Sequence, residues 1–199
     1  MSLIQVAFVF FLIANPLGNL PGFVSLLKDF PFQRQRQILL REMFFALCIC
    51  LFFVFFGDLL LNMLMVRTFT LTIGGGIVLL LTALGMIFSI GKTETDGPQE
   101  TATLREPFVV PIATPLIAGG GLLTTVMLYS HQLPKAIVTI ALLLAWIPVF
   151  AIAFAAPYLQ KLLGRRGLAA TEQLVGMLLL MIACDLISRG LGAFIHSLT

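Results

Sequence analysis

Asn15-Pro16-Leu17-Gly18-Asn19 and Thr114-Pro115-Leu116-Ile117-Ala118-Gly119-Gly120-Gly121 are the two stretches on which the fold of this chain turns. Each sits inside a long run without charged side chains, residues 1–27 and 107–134. Both runs exceed the roughly 20 apolar residues that a bilayer-crossing helix needs, yet each carries proline and glycine near its middle. Proline removes a backbone donor and clashes with the carbonyl one turn earlier, and glycine lets the chain leave helical geometry at low steric cost. Irregular backbone at membrane depth is tolerated only where protein or a water-filled cavity surrounds it. Matched interruptions in two halves of a chain therefore point to a solute site between them.

The composition agrees with a membrane setting. Of the 199 residues, 59% are hydrophobic and 11% charged, with a mean hydropathy of +1.06. A soluble domain carries about 25% charge. The sequence pI near 9.0 reflects lysines and arginines in short segments between apolar runs, which reads as a topology signal rather than a nucleic-acid surface. Met1-Ser2-Leu3 has no basic n-region, and no A-x-A site follows the first apolar run, so that run is expected to be a retained span.

Counting apolar runs predicts an all-α polytopic membrane protein of six spans, at 3–27, 41–62, 70–90, 107–130, 136–159 and 173–195, with the first and fourth broken. The whole chain, 1–199, reads as one membrane domain: repeat one at 1–91, a polar loop at 92–106, and repeat two at 107–199. Shifting the sequence by 99 residues lays Asn15-Pro16-Leu17 on Thr114-Pro115-Leu116, and shifting by 100 lays Gly76 on Gly176. A unit of three spans is odd, so the second unit must be inverted relative to the first, the plan of many secondary transporters.

Segments after spans 1, 3 and 5 hold Lys28, Arg34, Arg36, Arg41, Lys92, Arg105, Lys161, Arg165 and Arg166, against Arg67, Lys135 and Arg189 on the other side. That asymmetry assigns the first set to the cytoplasm and both termini to the periplasm of a bacterial inner membrane.

The two breaks predict half-helices beginning near Leu20 and Leu122, each offering unpaired N–H groups and a partial positive charge to an anion. The expected solute site comprises Asn15, Pro16, Gly18, Asn19, Thr114, Pro115, Gly119, Gly120, Gly121 and Thr124, with backbone N–H groups for a carboxylate and polar side chains for an ammonium. That combination suits a zwitterion; hydroxylated solutes or ions are the alternatives.

Asn15-Pro16-Leu17-Gly18-Asn19-Leu20-Pro21 with Phe23 resembles the [ND]-P-[LI]-G-x-x-P-x-F signature of the MarC family. Glu106-Pro107-Phe108-Val109-Val110-Pro111 followed by Pro115-Leu116-Ile117-Ala118-Gly119 is similar to its second signature. The family has Gly-Pro-Gly where this chain has Gly119-Gly120-Gly121, which leaves the second break softer. The resemblance runs the length of the chain. It implies a six-span bacterial inner-membrane protein and, from archaeal relatives, transport of small neutral amino acids such as glycine or alanine.

Asp185 and Arg189 fall four apart in span 6, spacing that suits an i,i+4 ion pair; an ionised group at that depth needs such a partner, or couples transport to protons. Arg41-Glu42 reads as an interfacial pair with snorkelling side chains. Asp58 and Arg67 bracket a short outer link where solvation is the default. Gly74-Gly75-Gly76 suits close helix packing and lacks the Lys-Ser/Thr of a phosphate loop. Trp146 and Tyr158 read as packing or interface anchors.

Cys48, Cys50 and Cys184 read as small hydrophobes, and His131 and His196 have no companion ligands, so neither metal nor cofactor is expected. No H-E-x-x-H, G-x-S-x-G or paired intramembrane aspartates support an enzyme. The function predicted is therefore a secondary carrier whose partners are a small solute and the bilayer, with no nucleic acid. A membrane enzyme or a non-transporting assembly protein is the alternative. The Phe-rich face of span 2 is compatible with a homo-oligomer.

Overall fold

Ser2 opens the first helix with a reciprocal cap: its Oγ accepts from the Gln5 N–H at 3.3 Å while the Gln5 side chain accepts from the Ser2 N–H at 2.9 Å. The computed structural model describes residues 2–20, 31–88 and 118–197. Its regular elements are all helices: α1 (Leu3–Ala14), α2 (Phe32–Met63), α3 (Thr68–Ile87), α4 (Gly120–Gln132) and α5 (Lys135–His196). Gly164, at φ 61° and ψ −178°, divides α5, in a region of backbone space that essentially only glycine occupies.

Among the described residues, four helical segments are long and apolar enough to cross a membrane: Gln33–Met63, Thr68–Ile87, and the two arms of α5, Lys135–Ala156 and Arg166–His196. The 20 residues of α3 measure about 30 Å, the thickness of a bilayer core. α1 and α4 are shorter, 12 and 13 residues. These four long segments account for expected spans 2, 3, 5 and 6. The rest of expected spans 1 and 4, residues 21–27 and 107–117, lies outside the described residues, as do Lys28, Lys92 and Arg105.

The stretch between expected spans 5 and 6 is not an extended loop. Helical structure continues up to and beyond Gly164, because Leu159, Leu163 and Leu168 find an apolar partner in Leu17 and Leu20 beyond α1. α2 likewise starts earlier than expected, its polar first turns (Gln33, Arg34, Gln35, Arg36) extending the 32-residue helix past the apolar run.

Named contacts fix the helix directions. Trp146 Nε1 donates to the Met43 carbonyl at 3.2 Å and Lys135 Nζ to the Phe55 carbonyl at 3.0 Å, so the first arm of α5 runs antiparallel to α2. Phe69 meets Phe194, and Gly176 lies against Ala83 and Met86, so the second arm runs antiparallel to α3. α1 opposes α4: Phe10 packs edge-on against Tyr129 at 5.6 Å, and Ile13 approaches Gly121.

Small residues hold α3 against the second arm. A β-carbon on Gly76 would lie 2.7 Å from Ile187 and 3.1 Å from the Ala183 carbonyl; one on Gly190 would lie 2.6 Å from Ile73 and 3.1 Å from its backbone nitrogen. Lipid is as apolar as a leucine core, so helices in membranes associate through close backbone approach of this kind. The packing expected of the Gly74–Gly76 triplet belongs to Gly75 and Gly76, whereas Gly74 faces open space.

Val6, Phe10, Val54, Val126, Leu142 and Leu179 are buried along the bundle axis. Leu81, Ile147 and Leu174 are about two-thirds exposed and would face hydrocarbon. Phe44, Phe52, Phe55 and Phe56 form a similar apolar surface on α2, where Phe52 and Phe56 stack at 4.9 Å.

Candidate functional site

At the end of α1, Asn15 takes the left-handed conformation (φ 48°, ψ 53°), which asparagine tolerates better than other β-carbon residues. Its backbone N–H closes the helix onto the Phe11 and Leu12 carbonyls. Its side chain then organises the following turn: Oδ1 accepts from the Gly18 N–H at 3.1 Å, and Nδ2 reaches the Met86 sulfur of α3 at 3.1 Å. Asn19 Nδ2 donates to the Ala14 carbonyl at 3.2 Å, and the chain resumes helical geometry at Leu20. Pro16 stands in the turn and has no N–H to leave unpaired.

At the expected second break the described backbone begins just before Gly119, which is extended (φ −68°, ψ 162°), and α4 starts at Gly120, two residues before the expected Leu122, without a side-chain cap. Thr114 and Pro115 lie outside the described residues.

The turn after α1 and the start of α4 meet. Asn15 and Asn19 from one, and Gly119, Gly120 and Gly121 from the other, line a single hollow of about 210 Å³, against about 30 Å³ for a water molecule in the liquid. Ile13 and Ala14, Leu122 from α4, and Val78, Leu79 and Thr82 from α3 complete its wall. The Thr82 hydroxyl donates to the Val78 carbonyl at 2.9 Å, which leaves its oxygen able to accept.

Two expected site residues, Gly18 and Thr124, serve other roles. The Gly18 N–H is engaged by Asn15, and a β-carbon on Gly18 would collide with Asn15 and Met86, so this glycine permits the turn. The N–H groups of Asn19 and Leu20 go to Asn15 and Leu17 carbonyls, so the first break offers amide side chains rather than bare backbone donors. Thr124 bonds the Gly120 and Gly121 carbonyls at 2.8 and 3.1 Å and faces Gly75, away from the hollow.

Asp185 and Arg189 form the i,i+4 ion pair at 2.8 Å, both more than half exposed. They line a second, larger cavity of about 400 Å³ with Thr72 and Phe69 of α3, Thr125 and Tyr129 of α4, and Val9 of α1. Asp58 is ion-paired rather than merely solvated, 3.3 Å from His131 and 3.4 Å from Lys135, tying α2, α4 and the first arm of α5 together. Trp146 is a buried packing residue, while Tyr158 is exposed.

Glu42 departs from the sequence expectation. Its side chain is fully buried, with Oε1 held at 3.1 Å by Arg41 and Oε2 without a hydrogen-bond partner among the described residues. Snorkelling requires a long flexible stem pointed at the interface; Glu42 instead turns inward beside Ile38, Leu39 and Met43, which are also buried. Its place in the first turns after a polar stretch masked it as an interfacial residue.

A helical membrane-embedded bundle with a polar hollow at helix interruptions is the class of protein these features define. The pattern of the MarC family, described as an integral membrane protein family, matches residues 1–195, and the chain belongs to that family. The UPF0056 inner membrane protein YhgN of Escherichia coli K12 is 41% identical over 192 residues, covering 96% of each chain. A UPF0056 membrane protein of Buchnera aphidicola subsp. Baizongia pistaciae is 39% identical over 197 residues, 98% of each chain. One from Chlamydia muridarum is 33% identical over 96% of this chain and 93% of its own. No solved structure matches the chain.

Proposed function

We propose that this protein is a secondary carrier for a small neutral solute, of glycine or alanine size, working by alternating access across a bacterial inner membrane. The observation that carries the reading is the convergence of the Asn15–Asn19 turn and the Gly119–Gly121 helix start on one hollow. The uncapped start of α4 supplies partial positive charge for a carboxylate, and the Asn15 and Asn19 side chains with the Thr82 oxygen supply polar partners for an ammonium. The hollow has room for a small solute.

In this reading the chain is two inverted units of three helices. The antiparallel pairing of α1 with α4, α2 with the first arm of α5, and α3 with its second arm supports that arrangement. The excess of basic residues after spans 1, 3 and 5 supports periplasmic termini. No catalysis, metal or cofactor enters the cycle.

Uptake of labelled alanine into proteoliposomes containing only this protein tests the reading. A β-carbon on Gly120 would meet only Val78, at 3.5 Å, so Gly120→Val is expected to fold, fill the hollow and abolish uptake. Undiminished uptake by that variant removes the hollow from the pathway; no uptake by the unaltered protein removes the carrier.

A further inference from the structure

The larger cavity lies in the half of the bundle that the proposed topology makes the outer one, and it has a chemistry that the hollow does not account for. Asp185 and Arg189 face it from the second arm of α5, and their pairing consumes one carboxylate oxygen and the guanidinium Nε. Asp185 Oδ1 and both Arg189 Nη groups make no other hydrogen bond or ion pair among the described residues. A guanidinium presents five donors and a carboxylate two acceptor oxygens, so the pair keeps an anionic edge and a cationic edge free, side by side. The Tyr129 hydroxyl, also without a partner among the described residues, lies within electrostatic reach of both charges.

Around this polar corner the lining is apolar: Val9, Phe69, Leu128 and Met181. Charges inside a membrane-spanning helix are expensive to keep and mark function by default, and an i,i+4 pair adds little to helix stability in return. A pocket with an apolar wall and a few converging polar groups is the usual form of a small-molecule site.

The cavity also stands in line with the hollow. Val9 precedes Ile13, and Thr125 follows Gly121, by four residues each, about 6 Å along a helix; Thr72 precedes Leu79 by seven, about 10 Å. α1, α3 and α4 thus line both spaces, one above the other.

We infer that the outer cavity is a second binding site, specific for a zwitterionic α-amino acid with an aliphatic side chain, its carboxylate on Arg189, its ammonium on Asp185 and its side chain against Phe69 and Met181. As a station on a transport route it rests on the carrier reading; as a binding site it stands apart from it.

Equilibrium binding of labelled alanine to the full chain in nanodiscs, with the uptake assay in parallel, tests this. The unaltered protein is expected to bind two alanines per chain. The double variant Asp185→Asn with Arg189→Gln removes both charges without stranding either, so its thermal unfolding should stay unchanged while one of the two alanines is lost. Its half-saturation concentration for uptake should rise at least five-fold. Asp185→Asn alone serves as the second variant if the double variant is unstable, with the same expected loss. Methylammonium and acetate together should not replace alanine, since neither bridges the two edges. Binding of two alanines by the charge-free variant, or no alanine-sensitive difference between it and the unaltered protein, overturns the site. If the unaltered protein takes up no alanine yet loses a bound alanine in the variant, the carrier reading fails and the outer site stands.

Discussion

A β-carbon on Gly75 of α3 would stand 2.5 Å from the Oγ1 of Thr124 and 2.9 Å from its Cβ. The Thr124 hydroxyl is pinned to the Gly120 and Gly121 carbonyls, so it yields poorly. This contact holds the start of α4, and with it one wall of the hollow, against α3. Gly75→Ala should destabilise the protein by about 1–3 kcal/mol, as overpacking of a close interface does. Gly74→Ala, which meets nothing within 4 Å, should leave stability unchanged or slightly raised. Thr124→Gly in the Gly75→Ala background should recover part of the loss. Unfolding midpoints in detergent measure all three, and equal effects at Gly74 and Gly75 would show that the contact is immaterial.

The Arg41–Glu42 pair gives a prediction about charge. Glu42 is fully buried, and Arg41 holds its Oε1 through both Nε and Nη2 at 3.1 Å. Removing the cation strands a buried carboxylate, so Arg41→Ala should cost about 3 kcal/mol. Adding Glu42→Gln to that variant should restore much of the stability, because a neutral amide is far cheaper to bury than a charge. A chemical denaturation series reads this out; equal destabilisation of the single and double variants would mean that Arg41 acts through packing alone.

The link between α2 and α3 is strained by one residue. Met65 has φ 53°, its N–H bonds the Asn62 carbonyl at 3.2 Å, and the Val66 N–H bonds the Leu61 carbonyl at 3.0 Å. These are the two bonds of a Schellman ending, in which glycine is the usual left-handed residue. Met65 is 90% exposed, so its side chain contributes little packing. Met65→Gly should therefore stabilise the protein by about 1 kcal/mol, seen as a raised unfolding temperature; an unchanged or lowered temperature contradicts the strain.

Much of the helical layout was legible before any coordinates, because it depends on local properties. Runs of apolar residues long enough to span predicted α2, α3 and both arms of α5, while Asn15-Pro16 marked where α1 ends and Gly119-Gly120-Gly121 where α4 begins. The signals failed where distant residues decide. Gly18 reads as a donor to solute until the Asn15 side chain is found on its N–H, and Thr124 reads as a site residue until its helix turns it toward Gly75. The segment before Gly164 reads as a loop because Lys161, Arg165 and Arg166 are charged, but Leu159 and Leu163 find the apolar turn beyond α1.

The amino-acid sequence alone determined that this chain lives in a bilayer, which family it resembles, and where α1 ends and α4 begins, since apolar length, proline and glycine act on the backbone within a few residues of themselves. Only the tertiary structure decided that the turn after α1 and the start of α4 share one hollow, that Glu42 is buried, and that Asp185 and Arg189 line a cavity. In a water-soluble helix the alternation of polar and apolar residues reveals the inward side. Here lipid and core are both apolar, so that alternation is nearly absent, and facing is set by which small residues let two backbones approach.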